Sequence, residues 1–384
     1  MVTALKNAKT LCPSGWREGC AVLVKDGTIT GIIDQTHIPA GCEIIDLGGQ
    51  TLLPGFIDVQ VNGGGGVLFN SDPTLEGITA IMAAHRQFGT TGMLPTIISD
   101  DLEIVAKAII AVDAAIETGV PGILGIHIEG PFLSPARAGA HNAAKIRTLD
   151  DDAITLLSSL KNGVALVTLA PEETTPDMIK KLVAAGMIVS FGHTNATCDE
   201  ARAGLNAGAT GFTHLFNAMS QMTGREPGVV GAALADTRSY AGIIVDGHHV
   251  AAESLNAAIH AKGTNHMMLV TDAMPSVGAA DKSFALSGKA VTVSGGKCVL
   301  ANGTLAGSDL DMASAVRGAY TWLGLPLAKA VNMASSVPAE FLGLSATHGS
   351  IKVGQKANFV VMDDNMQVQQ VWVEGARTLP PSTE

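Results

Sequence analysis

Two histidines, a glutamate and an aspartate each lie in or directly after a short apolar run in the middle of the sequence. Glu129 ends the run GILGIHIE, His193 follows MIVSFG, His214 lies within GFTHLF, and Asp272 follows HMMLVT. Two imidazoles and a carboxylate with a free coordination position are a common ligand set for catalytic zinc. The residues Glu129, His193 and His214 therefore predict a site for one divalent metal ion.

Each of these side chains also has an ordinary structural interpretation. A single histidine is often a hydrogen-bonded core or helix-cap residue, and Asp272 is in a position to cap a helix. The metal interpretation is favoured because the three ligand types fall at comparable positions, and because an unpaired carboxylate at an apolar strand end is costly. Beside a metal, Asp272 would accept a proton from water and return it to a leaving group.

The elements that must position these residues form a regular alternation. Strand-like apolar runs alternate with amphipathic helix patterns, and the strand-like runs cover residues 55–63, 90–97, 122–130, 164–172, 187–193, 211–217, 240–247 and 266–273. This alternation predicts a (β/α)8 TIM-type barrel, in which the active site lies at the carboxyl ends of the strands. A doubly wound open sheet is the alternative, although no G-x-G-x-x-G loop or Walker A sequence is present.

The two ends of the chain have a different pattern of short strands and turns. Residues 21–34 read as a hairpin that turns at Asp26 and Gly27. We expect the ends to pair into one small β-sandwich domain. The predicted boundaries are 1–53 for its N-terminal part, 54–340 for the metal-dependent barrel, and 341–384 for its C-terminal part.

Composition narrows the class of partner. The 384 residues carry a net charge of −11 and only 15% charged residues. This balance argues against nucleic acid or an anionic membrane as a partner, and an anionic small ligand would need local cationic groups. Five cysteines without a C-x-x-C pair and the absence of a long apolar run predict a protein of the reducing cytoplasm.

Several motifs together resemble a known family. LLPGFIDVQVNG, GIHIEGPFL, GHTNA, THLFNAM, REPG, DGHHV, VTDAM and GSIKVGQKANFVV occur in the order in which they stand in the amidohydrolase superfamily. Within that superfamily they are similar to the branch of deacetylases that act on N-acetylglucosamine 6-phosphate. The resemblance covers essentially the whole chain. It implies a barrel with a small β domain, hydrolysis of the sugar's N-acetyl group, and a cytoplasmic homodimer.

The resemblance also implies roles for individual residues. It makes Glu129, His193 and His214 the metal ligands, Asp272 the catalytic acid and base, and His141 a catalytic residue that touches the substrate. Sugar and phosphate contacts fall on Ala140, His141, Asn217, Ala218, Arg225, His249, Ala306, Gly307 and Ser308. The family's phosphate contacts correspond to Arg225 and His249, and the arginine can come from the neighbouring subunit.

One departure from the superfamily bears on the metal. Many amidohydrolases carry His-x-His on the first strand and bind two metals, whereas this chain has Gln60 and Asn62 there. Amides are poor zinc ligands beside imidazole, so we expect one metal per chain, with zinc as the expected ion. A deaminase or another deacetylase of the superfamily is the alternative enzyme. A non-catalytic binding relative is the alternative of another class.

Overall fold

A parallel sheet of eight strands forms the centre of the computed structural model, which describes residues 1–378. Each strand pairs in parallel with its neighbour in chain order, and most strand residues are buried. The strands are Phe56–Val61, Thr90–Ile98, Gly125–Glu129, Val164–Leu169, Ile188–Phe191, Gly211–Phe212, Tyr240–Ile243 and Met267–Leu269. The predicted barrel is confirmed, and the alternative of an open sheet is wrong.

Helices follow the barrel strands and cover the outside of the sheet. Their apolar faces belong to the same large core as the strands. The seven helices after strands one to seven are Leu75–Arg86, Leu102–Glu117, Asp151–Leu157, Pro176–Ala184, Cys198–Asn206, Gly228–Ala235 and Ala252–Lys262. Three helices follow the eighth strand, at Met312–Thr321, Leu327–Met333 and Ser336–Phe341.

Two further sheets are built from the chain ends and share a second core. A four-stranded sheet contains Val2–Lys6, Cys20–Lys25, Thr28–Asp34 and Glu43–Asp46. A six-stranded sheet joins both ends through Lys9–Cys12, Gly15–Arg17, Thr51–Pro54, Phe359–Met362, Val368–Val373 and Ala376–Thr378. The hairpin predicted at residues 21–34 is confirmed, and its first strand begins one residue earlier, at Cys20. The exact domain boundaries at residues 53 and 340 stay a prediction.

An antiparallel sheet is inserted after the eighth barrel strand, and the sequence patterns did not predict it. Its strands are Phe284–Leu286, Lys289–Ser294, Lys297–Leu300 and Leu305–Ser308. It packs its own small core against the carboxyl end of the barrel. A short hairpin of Gly63–Gly64 and Val67–Leu68 follows the first barrel strand. Both elements therefore lie at the end of the barrel where the predicted site residues collect.

The seam between the first and eighth strands closes the barrel. Asp272 N donates to Gln60 O at 3.0 Å, and Asn62 N donates to Ala273 O at 2.9 Å. Below them the fully buried carboxylate of Asp58 accepts the Thr271 hydroxyl at 2.5 Å and its backbone N–H at 3.3 Å. The seam is thus pinned by a side chain from each strand, immediately beneath Asp272.

The buried Asp58 carboxyl predicts a specific dependence of stability on pH. Burial raises its pKa to about 7, whereas an aspartate in an unfolded chain titrates near pH ~4. The stability from this group is therefore complete below about pH 4 and is lost as the pH rises through about 7. We expect wild type to lose more unfolding free energy than Asp58→Asn between about pH 5 and about pH 8, measured by urea unfolding. Parallel pH profiles for the two proteins would contradict this assignment.

Candidate metal centre and catalytic cavity

Three ligand atoms from three barrel strands converge at the carboxyl end of the barrel. His193 Nε2 lies 3.1 Å and His214 Nε2 lies 3.0 Å from Glu129 Oε1, and the two Nε2 atoms are 3.0 Å apart. All three side chains are buried, and they form a cluster able to hold a metal ion. The structure thus brings together the three residues that the sequence singled out as ligands.

The protonation of His193 shows why this cluster suits a cation. Its Nδ1 lies 2.9 Å from the carbonyl oxygen of Arg137, an acceptor, so Nδ1 carries the hydrogen. In the neutral ring Nε2 then presents a lone pair to Glu129 Oε1. Two buried acceptors at that separation repel each other, and a bound cation removes the repulsion. Imidazole nitrogens and a carboxylate oxygen are donors that zinc and related divalent ions accept, so the residues fit a metal.

The pKa shifts in the cluster have opposite directions. Burial disfavours the charged form of Glu129, but His193 and His214 outweigh burial when their Nε2 atoms carry hydrogens, and they hold the pKa of Glu129 well below its usual range. Burial also opposes charging of His214, yet the hydrogen bond to Glu129 and the charge of that carboxylate raise the pKa of His214. Glu129 is therefore held in its anionic form, and its charge favours a cation or a proton at the imidazole nitrogens that face it.

The backbone at three site residues differs from the predicted strands. The sixth and eighth strands end at Phe212 and Leu269, before His214 and Asp272. His193, His214 and Asp272 have φ values of 49°, 32° and 53°. Non-glycine residues rarely occupy this left-handed region, and such strain concentrates at functional sites. The side chains are thus carried by turns immediately after the strands.

Asp272 stands beside the metal ligands with one oxygen already hydrogen-bonded. Its Oδ1 accepts from Gln60 Nε2 at 3.1 Å and from Asn62 Nδ2 at 2.7 Å. Burial, followed by the negative charge of Glu129, raises the pKa of Asp272. A carboxyl group in this environment is suited to accept a proton and release it again.

His141 is held as a hydrogen-bond donor over the same centre. The backbone N–H of Ser99 donates to His141 Nδ1 at 3.3 Å, and the Ser99 hydroxyl lies 2.8 Å from the same nitrogen. Burial, followed by the charge of His193, lowers the pKa of His141 to about 3. The ring is therefore neutral, with its hydrogen on Nε2, which lies 3.9 Å from Glu129 Oε1.

A cavity of about 490 Å³ opens above these residues. Its size lies in the range of small-molecule sites. Glu129, His193, His214 and Asp272 form its floor, and Met274 and Leu286 add apolar surface. Among the predicted substrate contacts, six line it: Ala140, His141, Asn217, Ala218, His249 and Gly307.

Three predicted substrate contacts lie elsewhere in this chain. Arg225 is exposed on the loop before the sixth barrel helix and does not line the cavity. Ala306 is fully buried beside the cavity wall. The hydroxyl of Ser308 donates to the carbonyl oxygen of Thr271 at 2.6 Å, so it supports the seam below the cavity. Their roles in substrate binding stay predictions.

The sequence patterns missed several residues that shape the site. Ser99 fixes the tautomer of His141, Arg137 lines the cavity and orients His193, and Asp246 Oδ2 accepts from His249 Nδ1 at 2.6 Å. Asp246 had a local signal, because it precedes His249 by three residues in DGHH. Arg137 and Ser99 had none, because their partners are 56 and 42 residues away in the chain.

The fold and the site together define the class of protein: a (β/α)8 barrel with a buried His₂Glu cluster, able to hold a cation, at the carboxyl ends of its strands. Comparison with known proteins makes the assignment specific. Residues 51–378 match the model of the amidohydrolase family. The chain belongs to the amidohydrolase family.

The similar proteins cover almost the whole chain. An N-acetylgalactosamine-6-phosphate deacetylase of Shewanella sp. (strain ANA-3) is 48% identical over 96% of this chain and 94% of its own length. An N-acetylglucosamine-6-phosphate deacetylase of Haemophilus influenzae is 36% identical, over 92% of this chain and 93% of its own length. The crystal structure of N-acetylglucosamine-6-phosphate deacetylase from Pasteurella multocida superposes with a TM-score of 0.96 at 36% identity, over 99% of this chain and 100% of that one.

Metal content tests the cluster without reference to a substrate. We expect the purified protein to hold about one tightly bound divalent ion per chain, measured by plasma emission spectrometry after dialysis. His214→Gln removes a ligand and should lose most of the ion. The matched control is His260→Gln, because His260 lies exposed on the seventh barrel helix. Equal metal content in His214→Gln and wild type would show that the ion binds elsewhere.

Proposed function

We propose that this chain hydrolyses the N-acetyl group of N-acetylglucosamine 6-phosphate to give glucosamine 6-phosphate and acetate. The observation that carries the proposal is the placement of the His₂Glu cluster, Asp272 and His141 around one cavity. The names of the relatives, all amino-sugar phosphate deacetylases, support the substrate class.

An amide resists hydrolysis because its carbonyl is a weak electrophile and its nitrogen leaves poorly. A divalent ion held by Glu129, His193 and His214 would lower the pKa of water and polarise the carbonyl group. A C–O bond forms to the acetyl carbon and the C–N bond breaks. The protein must therefore remove a proton from the attacking water and supply one to the sugar nitrogen.

Asp272 is the group placed for both proton transfers. Its Oδ1 is occupied by the amides of Gln60 and Asn62, and the side chain lines the cavity. Oδ2 is therefore the oxygen that receives the proton and passes it to the nitrogen. The raised pKa of Asp272 favours the protonated intermediate state that this sequence requires.

His141 is the group placed to stabilise negative charge on the carbonyl oxygen. Its Nε2–H points to the cavity floor, and its Nδ1 is held by Ser99. A fixed neutral donor strengthens its hydrogen bond as the oxygen gains charge, and this preferentially stabilises the transition state.

The phosphate lies at the end of the substrate away from the amide, and its binding would hold the amide at the site. His249 lines the cavity, and the hydrogen bond from its Nδ1 to Asp246 fixes the ring, so Nε2 is the nitrogen left to contact a phosphate oxygen. Arg225 does not line the cavity of its own chain. We propose that it reaches the phosphate bound by the neighbouring subunit of a homodimer. Met222, three residues earlier, is 59% exposed, which supports an interface at this loop.

The epimer N-acetylgalactosamine 6-phosphate is a second candidate substrate. It differs only in the orientation of the hydroxyl at carbon 4, far from the scissile amide. A specific observation favours it: the relative at 48% identity carries that name, whereas the N-acetylglucosamine-6-phosphate deacetylase of Haemophilus influenzae is 36% identical. A deaminase has less support, because no match named above is a deaminase and because the cavity holds His249 for a phosphate.

The remaining proposals concern the metal and the compartment. Zinc is proposed because a His₂Glu set with an open position is typical of catalytic zinc. A cytoplasmic location is proposed because all five cysteines are free thiols. Within residues 1–378, no helix combines the length and apolar character that crossing a membrane requires.

Acetate release from the two epimeric 6-phosphates tests the proposed function. We expect the zinc-loaded protein to release acetate from one or both, and a chelator to abolish the reaction. Asp272→Asn is the matched control, because it keeps the metal ligands and should bind metal normally while losing turnover. No acetate from either sugar, with the metal site full, would contradict the proposal and favour a non-catalytic binding relative.

If Arg225 binds the phosphate, Arg225→Ala should affect the phosphorylated sugar and spare the unphosphorylated one. The substitution should lower kcat/KM for the 6-phosphate by about 100-fold, since a lost charged hydrogen bond costs about 3 kcal/mol. The unphosphorylated sugar should be hydrolysed slowly but equally by both proteins. Lys289→Ala, at an exposed residue of the inserted sheet, controls for lost positive charge. Equal losses on both sugars would remove Arg225 from phosphate binding.

A further inference from the structure

The side-chain amide of Gln60 lies between the two carboxylates of the site, and the amide of Asn62 contacts one of them. Gln60 Nε2 is 3.1 Å from Glu129 Oε2 and 3.1 Å from Asp272 Oδ1. Asn62 Nδ2 is 2.7 Å from the same Asp272 oxygen. Gln60 and Asn62 are buried, at 1% and 2% exposure. These contacts therefore form in a medium where hydrogen bonds to charged groups are strong.

The contacts divide the four carboxylate oxygens into two kinds. Glu129 Oε2 receives Gln60, while Oε1 is the atom that faces both imidazole Nε2 atoms. Asp272 Oδ1 receives both amides, and no side-chain donor contacts Oδ2 among the described residues. In each carboxylate one oxygen is thus fixed by an amide, and the other is left for the ion or for the proton.

We propose that Gln60 and Asn62 are positioning residues that select which oxygen of each carboxylate does the chemistry. Gln60 holds Glu129 so that Oε1 alone binds the ion, and it holds Asp272 so that Oδ2 faces the substrate. Asn62 adds a second restraint on Asp272 only. The effect on turnover rests on the proposed function, whereas the effect on metal binding does not.

The chemistry of glutamine makes it specific for this position. A primary amide carries two hydrogens on one nitrogen, so Gln60 is able to donate to both carboxylates at once. No histidine nitrogen carries more than one hydrogen, and a glutamate would add a third negative charge. The two donated hydrogens also lie between two like charges and reduce their repulsion. Gln60 therefore has a role of its own, in addition to replacing a histidine that would bind a second metal ion.

Asn62 carries a stability cost that points to a functional reason for its presence. Its Oδ1 is a buried oxygen with no hydrogen-bond partner in the structure. Such an unpaired buried atom lowers the stability of the folded protein. The orientation that leaves Oδ1 unpaired is the one that directs Nδ2 at Asp272. An apolar residue of the same shape would avoid this cost and would lose the restraint on Asp272.

Two nearly isosteric variants separate the roles of the amides. Gln60→Met should raise the dissociation constant for zinc about tenfold or more, because Glu129 loses its restraint. Asn62→Leu should leave that constant within about twofold, because Asn62 does not contact Glu129. At saturating zinc, both variants should lower kcat tenfold or more with little change in KM, because each loses a restraint that positions Asp272 for proton transfer. The Asn62→Leu protein should melt no lower than wild type.

The measurements are competition with a chromogenic zinc chelator, steady-state acetate release and thermal melting of the loaded protein. Ser190→Ala is the matched control, since it removes a buried hydrogen bond to Thr213 inside the same barrel without touching either carboxylate. If Gln60→Met does not fold, Gln60→Asn carries the same expectation, because it is one methylene too short to reach both carboxylates.

The proposal is overturned if Gln60→Met binds zinc as tightly as wild type, or if Asn62→Leu keeps the wild-type kcat. It is also overturned if Asn62→Leu weakens zinc binding as much as Gln60→Met does. If wild type releases no acetate from either amino-sugar phosphate, the proposed function is wrong, but this result does not contradict the positioning role of Gln60. The zinc affinities of the two variants then still decide whether Gln60 positions Glu129.

Discussion

The structure depends on one electrostatic constraint: Glu129 Oε1 and two imidazole nitrogens are buried within 3.1 Å of one another. The carboxylate oxygen of Glu129 and the lone pair on His193 Nε2 both carry negative charge density, so they repel each other. The arrangement is stable when positive charge lies between them, either protons or a divalent ion. The surrounding loops enforce it, because the carbonyl oxygen of Arg137 fixes the His193 ring and Ser134 N donates to His193 O at 2.9 Å.

The barrel supplies the rigid frame that this constraint requires. Carboxyl ends of parallel strands meet at one rim, so residues 85 positions apart, such as Glu129 and His214, become neighbours. At the seam between the first and eighth strands, the residues that close the barrel adjoin the residues of the site. Asp58 pins Thr271, the next residue is Asp272, and the paired strand carries Gln60. Closing the barrel therefore also sets the distance between Asp272 and the cluster of Glu129, His193 and His214.

Sequence reasoning predicted the barrel and the clustering of Glu129, His193 and His214 because both depend on local patterns. Apolar runs reveal buried strands, and a polar residue directly after such a run, as at His193, falls at the rim. The inserted sheet and the Ser99–His141 contact were missed because they depend on how loops fold back over the rim. Arg225 shows a second limit of sequence reasoning. Its motif suggests a phosphate-binding residue, but in this chain the side chain is exposed and does not line the cavity.

Anomalous diffraction from crystals of the zinc-loaded protein, recorded on both sides of the zinc edge, tests the central claim most directly. The account predicts one peak per chain, about 2.0–2.2 Å from Glu129 Oε1, His193 Nε2 and His214 Nε2. It also predicts that Gln60 remains hydrogen-bonded to Glu129. A peak coordinated by Gln60 and Asn62, or a cluster that stays free of metal at saturating zinc, would contradict the account.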